Sequence, residues 1–480
     1  MRNALFLLLL LAVAAVPGSV YPQRSADPNG VKEFFDREPE FARVLDGLQL
    51  FDVYTSAWFS AIYILLFVSL VGCVVPRTKV HFDAMRAKPV KTPTNLKRMT
   101  IHYELAGNPE LAIQKAQKVL KSMRYKTQVQ GNSVSSEKGY LKETGNLVFH
   151  FSLVGVLIAV GVGGGLSFNG QRVLVEGETF VNNLASYDSF SPGPLFDESE
   201  LKPFSLTLDD FNVLYDLNNV ANIGQPIDFI ATATTTVGEE TSTDEIRVNY
   251  PLAAPGVNVF LTGNGFAPVI TVRDGNGDVA YSGPVIFLPQ DSNMTSLGVI
   301  KAPDANPDQI GIIAFFYPTA GELDNGAYTS IYPDPLSPLL TMNVYKGDLG
   351  LDSGIPRNVY ALDTSSLETL ASREGPNDPI MLTVGESKDL PGGLGSVSFD
   401  GLLRFASIDF AYNPGGLWVL LFSLLALGSL TLSLLWPRRR VWVRVNQDGV
   451  IEMAALAKGD DQRLEQATME IKKRLEKEIA

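Results

Sequence analysis

One cysteine, Cys73, and three histidines, His81, His102 and His150, are all that 480 residues contain of those two types. A lone thiol cannot cross-link within its own chain, so no intrachain disulfide contributes to stability. Sulfur-rich zinc sites, a C-x-x-C redox pair and the C-x-x-C-H haem-attachment motif are excluded on the same count. There is no Walker loop, no G-x-S-x-G and no H-E-x-x-H. The chain is therefore neither a recognisable hydrolase nor itself a c-type cytochrome. Charge is also sparse, 19% against 45% hydrophobic residues, the opposite of what keeps a chain disordered. The 42 glycines follow no three-residue period, which excludes a collagen-like fold.

What the chain does have is four windows rich in apolar residues and nearly free of charge: Ala4 to Tyr21, Ala57 to Val75, Asn146 to Phe168 and Gly416 to Trp436. A helix needs about 20 such residues to cross a hydrocarbon core of about 30 Å, where its backbone groups must be satisfied internally. Trp58, Trp418 and Trp436 stand at window ends, where amphipathic indoles prefer the headgroup layer. The first window, with Arg2 before a leucine run, has the outline of a signal peptide. Pro17, Gly18 and Pro22 close it without an A-x-A site, so it is read as a retained helix.

Charge orients these spans. Residues 22–56 are net −3, residues 76–145 carry 14 Lys+Arg against 5 Asp+Glu, and residues 169–415 carry 10 against 32. Basic loops stay in the cytoplasm. Both termini and the 76–145 loop are thus expected inside a bacterial plasma membrane, with the acidic region outside. Arg438, Arg439, Arg440 and Arg444, directly after the fourth window, agree. The expected segments are 1–21, first transmembrane helix; 22–56, external loop; 57–75, second helix; 76–145, cytoplasmic loop domain; 146–168, third helix; 169–415, external β domain; 416–436, fourth helix; and 437–480, cytoplasmic tail. The fold class is an integral membrane protein with four transmembrane α-helices, a large extracytoplasmic antiparallel β domain and a small cytoplasmic α+β unit.

Within 169–415, runs such as Arg172-Val-Leu-Val-Glu176, Phe204-Ser-Leu-Thr-Leu208 and Leu340-Thr-Met-Asn-Val344 alternate apolar and polar residues between Gly, Pro, Asn and Asp. They predict an antiparallel, sandwich-like domain, whose net −22 argues against nucleic acid as a partner. Asp274, Asn276 and Asp278 have calcium-loop spacing, but Val279 and Val285 occupy the places of the Gly and Glu that an EF-hand needs. Asn276-Gly277 instead predicts a hairpin turn. In the inside loop, Leu111, Ala112, Ala116, Val119 and Leu120 predict a helix over 109–121, followed by a hairpin at Gly131-Asn132. At the C-terminus Leu464, Thr468, Ile471, Leu475 and Ile479 share one face of a charged helix, expected to pack on the inside loop.

Among residues that carry chemistry, His81 and His102 lie in the basic loop, where a solvated role is the default. His150 opens the third span. An ionisable group there usually faces a bundle interior, and imidazole is a good axial ligand for haem iron. Position alone leaves that reading beside an interfacial hydrogen bond to a neighbouring helix. Gly155, Ala159 and Gly163 give the same helix a small-residue stripe for close packing. Cys73 reads as a small buried hydrophobe or, with Arg77 and Lys79 nearby, as a functional thiol.

In order along the chain, Pro17-Gly-Ser-Val-Tyr-Pro-Gln-Arg24, Gly47-Leu-Gln-Leu-Phe-Asp-Val-Tyr-Thr-Ser-Ala-Trp-Phe59, Leu70-Val-Gly-Cys-Val-Val-Pro-Arg77, Gly145-Asn-Leu-Val-Phe-His150, Gly170-Gln-Arg-Val-Leu-Val-Glu-Gly177 and Pro437-Arg-Arg-Arg-Val-Trp-Val443 resemble the ResB family, the membrane component of type II cytochrome c biogenesis. The resemblance implies haem as the group bound or transported, His150 as its transmembrane axial ligand, and no catalytic residue in this chain. It implies a multi-span partner of the ResC/CcsA type carrying the tryptophan-rich haem-handling segment absent here. Apocytochrome c is the implied recipient, and thiol-reducing proteins are further candidate partners. The subunit would be non-catalytic or co-catalytic in a cytochrome c synthase. A structural or sensory anchor displaying an acidic β domain is the competing reading. A solute transporter fits poorly, since four spans with one ionisable residue offer little substrate path.

Overall fold

The computed structural model describes residues 2–217, 223–351 and 358–480; segments 218–222 and 352–357 of the expected β domain lie outside the described residues. The chain forms two compact units, Met1–Gly164 with Pro414–Ala480, and Gly165–Asn413.

The first unit begins with α1 (Arg2–Val20), α2 (Pro28–Arg37) and α3 (Pro39–Gly47). It continues with α4 (Ala57–Arg86), α5 (Pro109–Ser122) and α6 (Leu141–Leu166), and ends with α7 (Gly416–Leu435) and α8 (Leu464–Ile479). Among the described residues three helices, α4, α6 and α7, are long and apolar enough to cross a membrane; the apolar stretch of α1, Leu5–Val20, is shorter. Ser56 caps α4 by accepting from the Phe59 N–H at 3.2 Å. The helix then continues through Pro76 and well past the apolar window. The stripe on α6 is buried at Gly155, Ala159 and Gly163, and a Cβ at Gly155 would lie 2.5 Å from the Phe422 ring of α7. The Tyr63 hydroxyl of α4 donates to the Leu157 carbonyl of α6.

Next to these helices a five-stranded antiparallel sheet has the order Ile101–Leu105, Ile451–Lys458, Arg438–Val445, Ser133–Lys138, Lys126–Gln130. The loop and the tail thus interleave in one sheet. Helices α5 and α8 cover Val441, Val443, Met453 and Ala455 on one face, while Leu96 covers Trp442 and Ala454 on the other. All five apolar-face residues of α8 are buried. On α5 the expected face holds except at Leu111, which is exposed: the buried stripe is Ala112, Ala116, Val119 and Leu120.

The second unit is antiparallel throughout its named strand ladders. Two 17-residue strands, Val257–Arg273 and Ser396–Tyr412, pair along their length and serve two cores. Ile270, Val272, Val397 and Phe399 belong to one, with Ile312, Phe316 and Met342. Val257, Val259, Ile408 and Phe410 belong to the other, with Leu206, Phe211 and Ala231. The expected single sandwich is therefore two lobes on a shared two-stranded spine. Asn276-Gly277 is a turn, with Gly277 at φ +89° leading into the hairpin between Val257–Arg273 and Val279–Pro284. Asp274 serves the backbone there, accepting from the N–H groups of Asn276, Asp278 and Asn306 at 2.9, 3.0 and 3.1 Å.

Candidate functional site

A cavity of about 630 Å³ opens in the first unit, walled by α4, α6, the end of α7 and the sheet. That volume lies in the range of small-molecule and cofactor sites. Val74, Val80, Ala84 and Leu147 make it apolar, Arg77, Lys142, Arg438 and Lys458 make one part of it basic, and two imidazoles, His81 and His150, reach it.

His150 is partly buried and faces this cavity. Its Nδ1 lies 2.7 Å from the Asn146 carbonyl oxygen, one turn back on α6. A carbonyl only accepts, so Nδ1 carries a proton, and in the neutral ring the lone pair is the one on Nε2. This is the arrangement that orients a ligating imidazole.

His81 departs from the sequence reading. It was expected on a solvated loop; the continuation of α4 beyond Pro76 instead buries it, with 7% of its surface exposed. Thr144 Oγ1 lies 3.1 Å from the Tyr140 carbonyl oxygen and 3.0 Å from His81 Nε2, with one proton to give to either. His81 Nδ1 meets no partner among the described residues. A buried polar atom without a partner is uncommon in a finished structure. His102 sits in the strand Ile101–Leu105, 3.8 Å from Glu452, largely buried and outside the cavity wall. The solvated default fails for it too, because pairing with Ile451–Lys458 turns it into the sheet.

Beneath the cavity lies an ion cluster. Arg438 pairs with Glu137 at 2.9 Å and with Glu143; Arg440 pairs with Glu137 at 2.8 Å and Lys458 with Glu143 at 2.9 Å. Arg438 stacks 4.5 Å over the Tyr140 ring. Burial, with a hydrogen bond to Glu137, pushes the Tyr140 hydroxyl up to about 12. Burial alone would raise Glu137; hydrogen bonds from Arg440 and Tyr140 and the charges of Arg438 and Arg440 hold it below its ordinary value. The basic residues after the fourth window are therefore ion-paired within the sheet unit. Arg439 meets Asp461 at 2.7 Å and Arg444 meets Glu452 at 2.5 Å.

Cys73 is free and partly exposed on α4, next to the cavity-lining Val74 but not itself part of the wall. No group of three or more His, Cys, Asp or Glu able to hold a bare metal ion occurs among the described residues. An imidazole oriented through its Nδ1 proton, an apolar wall and a basic rim suit a metal already carried in a flat organic ring with acidic substituents, and the unpartnered His81 nitrogen offers such a group a polar contact. The sequence signal that could have found His81 is its spacing from Val74 and Arg77, which puts all three on one side of a helix continued past Pro76.

Known proteins resemble this chain. The chain is similar to the cytochrome c biogenesis protein CcsB of Prochlorococcus marinus (strain AS9601), 28% identical over 272 residues covering 54% of this chain and 58% of that one. It is similar to the cytochrome c biogenesis protein Ccs1 of Pyropia yezoensis, 26% identical over 307 residues, 62% and 66% of the two chains. CcsB of Synechococcus sp. (strain WH7803) is 28% identical over 296 residues, 60% and 63%. These alignments span less than two thirds of each relative's own length. The model of the ResB-like family, in contrast, matches residues 1–468, and the chain belongs to that family.

Proposed function

We propose that this protein is a haem-handling membrane subunit of a type II cytochrome c biogenesis system. It takes haem in the α4–α6 cavity with His150 Nε2 as an axial ligand, and works with a multi-span ResC/CcsA-type partner that completes haem export and attachment to apocytochrome c. The observation that carries this reading is the His150 contact: the Asn146 carbonyl holds a proton on Nδ1 and, in the neutral ring, leaves Nε2 basic beside a cavity of ligand size. Attachment adds a cysteine S–H across a haem vinyl C=C, a step that needs reduced thiols and a held ring more than an activating side chain. This chain supplies the holding; thiol-reducing proteins are candidates for keeping the recipient's cysteines reduced.

In this reading α1 crosses the membrane together with α4, α6 and α7, with α1 tilting little and the bilayer thinning locally to match its shorter apolar stretch. Both termini and the sheet of residues 101–138 and 438–458 lie in the bacterial cytoplasm, where the basic 76–145 segment belongs. The acidic two-lobed β unit lies outside, placed to position a partner or the apocytochrome.

The test is a purified complex with its multi-span partner. It should carry a haem absorption band that weakens in His150→Ala and returns with added imidazole, and that variant should fail to mature cytochrome c. Normal maturation by the variant overturns the ligand role. A chain acting only as an anchor for the β unit predicts intact c-type cytochromes on a haem-stained gel after gene deletion.

A further inference from the structure

We propose that the basic end of the cavity, formed by Arg77, Lys142 and Lys458, is a carboxylate subsite that receives the propionates of haem. The ring then lies with its acidic edge toward the sheet and its iron toward His150. The inference rests on the haem reading above and deepens it, because it assigns an orientation to the cargo and a second recognition element to this chain.

The charge balance of the wall comes first. Four cations, Arg77, Lys142, Arg438 and Lys458, line the cavity with a single carboxylate, Glu143. Arg438 is already occupied by Glu137 and Glu143, Lys458 shares Glu143, and Arg77 has an interaction of its own, so the attraction comes from the net charge of the wall rather than from a free cation. Lys142 Nζ meets a carbonyl oxygen, that of Lys458 at 3.4 Å, rather than a carboxylate. A net positive wall beside apolar surface attracts anions, and carboxylates leaving water need such partners.

Position is the second argument. Lys142 and His150 are eight residues apart on α6, which at 1.5 Å per residue separates them by about 12 Å along the axis. That span is comparable with the reach of a haem from its iron to its carboxylate edge. Leu147 and Val80 line the stretch between, as a macrocycle requires. His81, bonded to Thr144 through Nε2, stands nearer the basic end, and its buried Nδ1 has no partner among the described residues; in the tautomer with the proton on Nδ1 a propionate oxygen would accept from it.

The experiment titrates the full-length protein, in nanodiscs of zwitterionic lipid, with haem and with the dimethyl ester of the same iron porphyrin, following the absorption band. Paired Arg77→Gln and Lys142→Gln substitutions should weaken haem binding by about tenfold or more, as expected for lost charge-assisted hydrogen bonds, while ester binding and the band position stay the same. His150→Ala should change the band for both porphyrins yet keep the preference for the diacid. Equal loss of both porphyrins in the paired variant, or no loss of either, overturns the carboxylate subsite alone. If the unaltered protein discriminates diacid from ester no better than the paired variant, the subsite is likewise refuted. Failure of the unaltered protein to bind either porphyrin removes the haem reading with it.

Discussion

His150 Nδ1 and the Asn146 carbonyl oxygen stand 2.7 Å apart across one turn of α6. The contact uses a carbonyl that the helix already holds in place, so the ring is oriented by the backbone of its own span. Ligation and simple packing then make different predictions. A ligand role depends on the donor atom, whereas packing depends on bulk. His150→Met, with a thioether donor, should retain bound haem with a shifted absorption band. His150→Phe, similar in bulk but without a donor, should lose the band. Equal spectra from the two variants would contradict iron ligation.

Gly145 and Gly155 both lie against α7, and they should not tolerate alanine equally. A Cβ at Gly145 would sit 2.7 Å from the Ser429 carbonyl oxygen and 3.0 Å from the Ser433 nitrogen, both backbone atoms. At Gly155 its three nearest atoms would all belong to the Phe422 side chain, which can turn aside. Overpacking costs about 1–3 kcal/mol; Gly145→Ala should fall at the upper end and Gly155→Ala at the lower. Thermal unfolding of the solubilised full chain ranks them, and the reverse order would mean that α7 shifts more easily than the ring.

Much of this architecture was legible because local periodicity reports local burial. Period-two runs such as Leu340-Thr-Met-Asn-Val344 lie in strands, and the Leu464, Thr468, Ile471, Leu475, Ile479 stripe is the buried face of α8. Long-range pairing leaves no such trace. Nothing near Val441 signals that its carbonyl accepts from Ser136, 305 residues earlier, nor that a 17-residue strand such as Val257–Arg273 passes from one core to another. His81 was misplaced for a different reason: Pro76 usually marks the end of a helix, and here the helix continues past it. At the site, His150 was named from its depth in the span, but its cavity needed the tail residues Arg438 and Lys458 to come into place.

Cys73 offers a simpler test. It lies outside the cavity wall and the chain holds no second thiol to pair with it. Cys73→Ser changes little volume, so the haem band and the level of mature cytochrome c should match those of the unaltered protein. A severalfold loss of maturation with the band intact would reassign the thiol to the chemistry of attachment.

The cluster of Arg438, Arg440 and Glu137 makes one buried carboxylate a contributor to the acid stability of the sheet unit. Glu137 and Arg438 have side chains only 3% and 7% exposed, and removing one member of a buried pair costs about 3–5 kcal/mol. Glu137→Gln should therefore lower the unfolding temperature clearly at neutral pH. The sign with pH follows from the carboxylates. Glu137 is buried, which alone would raise it, yet its basic partners hold it below the ordinary value of 4.5; hydrogen bonding to Arg439 holds Asp461 below 3.8. The folded state then binds fewer protons than the unfolded one, so this stability is present above those ordinary values and is lost as pH falls through the lower folded ones. Melting temperature should decline on acidification below about pH 5, and decline less steeply in Glu137→Gln, which has one fewer carboxylate to protonate. Tyr140 works at the other end: raised from 10 to about 12, it contributes stability below pH 10 that disappears as pH approaches 12. Melts across both windows measure the two limbs, and an acid limb as steep in Glu137→Gln as in the unaltered chain would show that the acid sensitivity arises elsewhere.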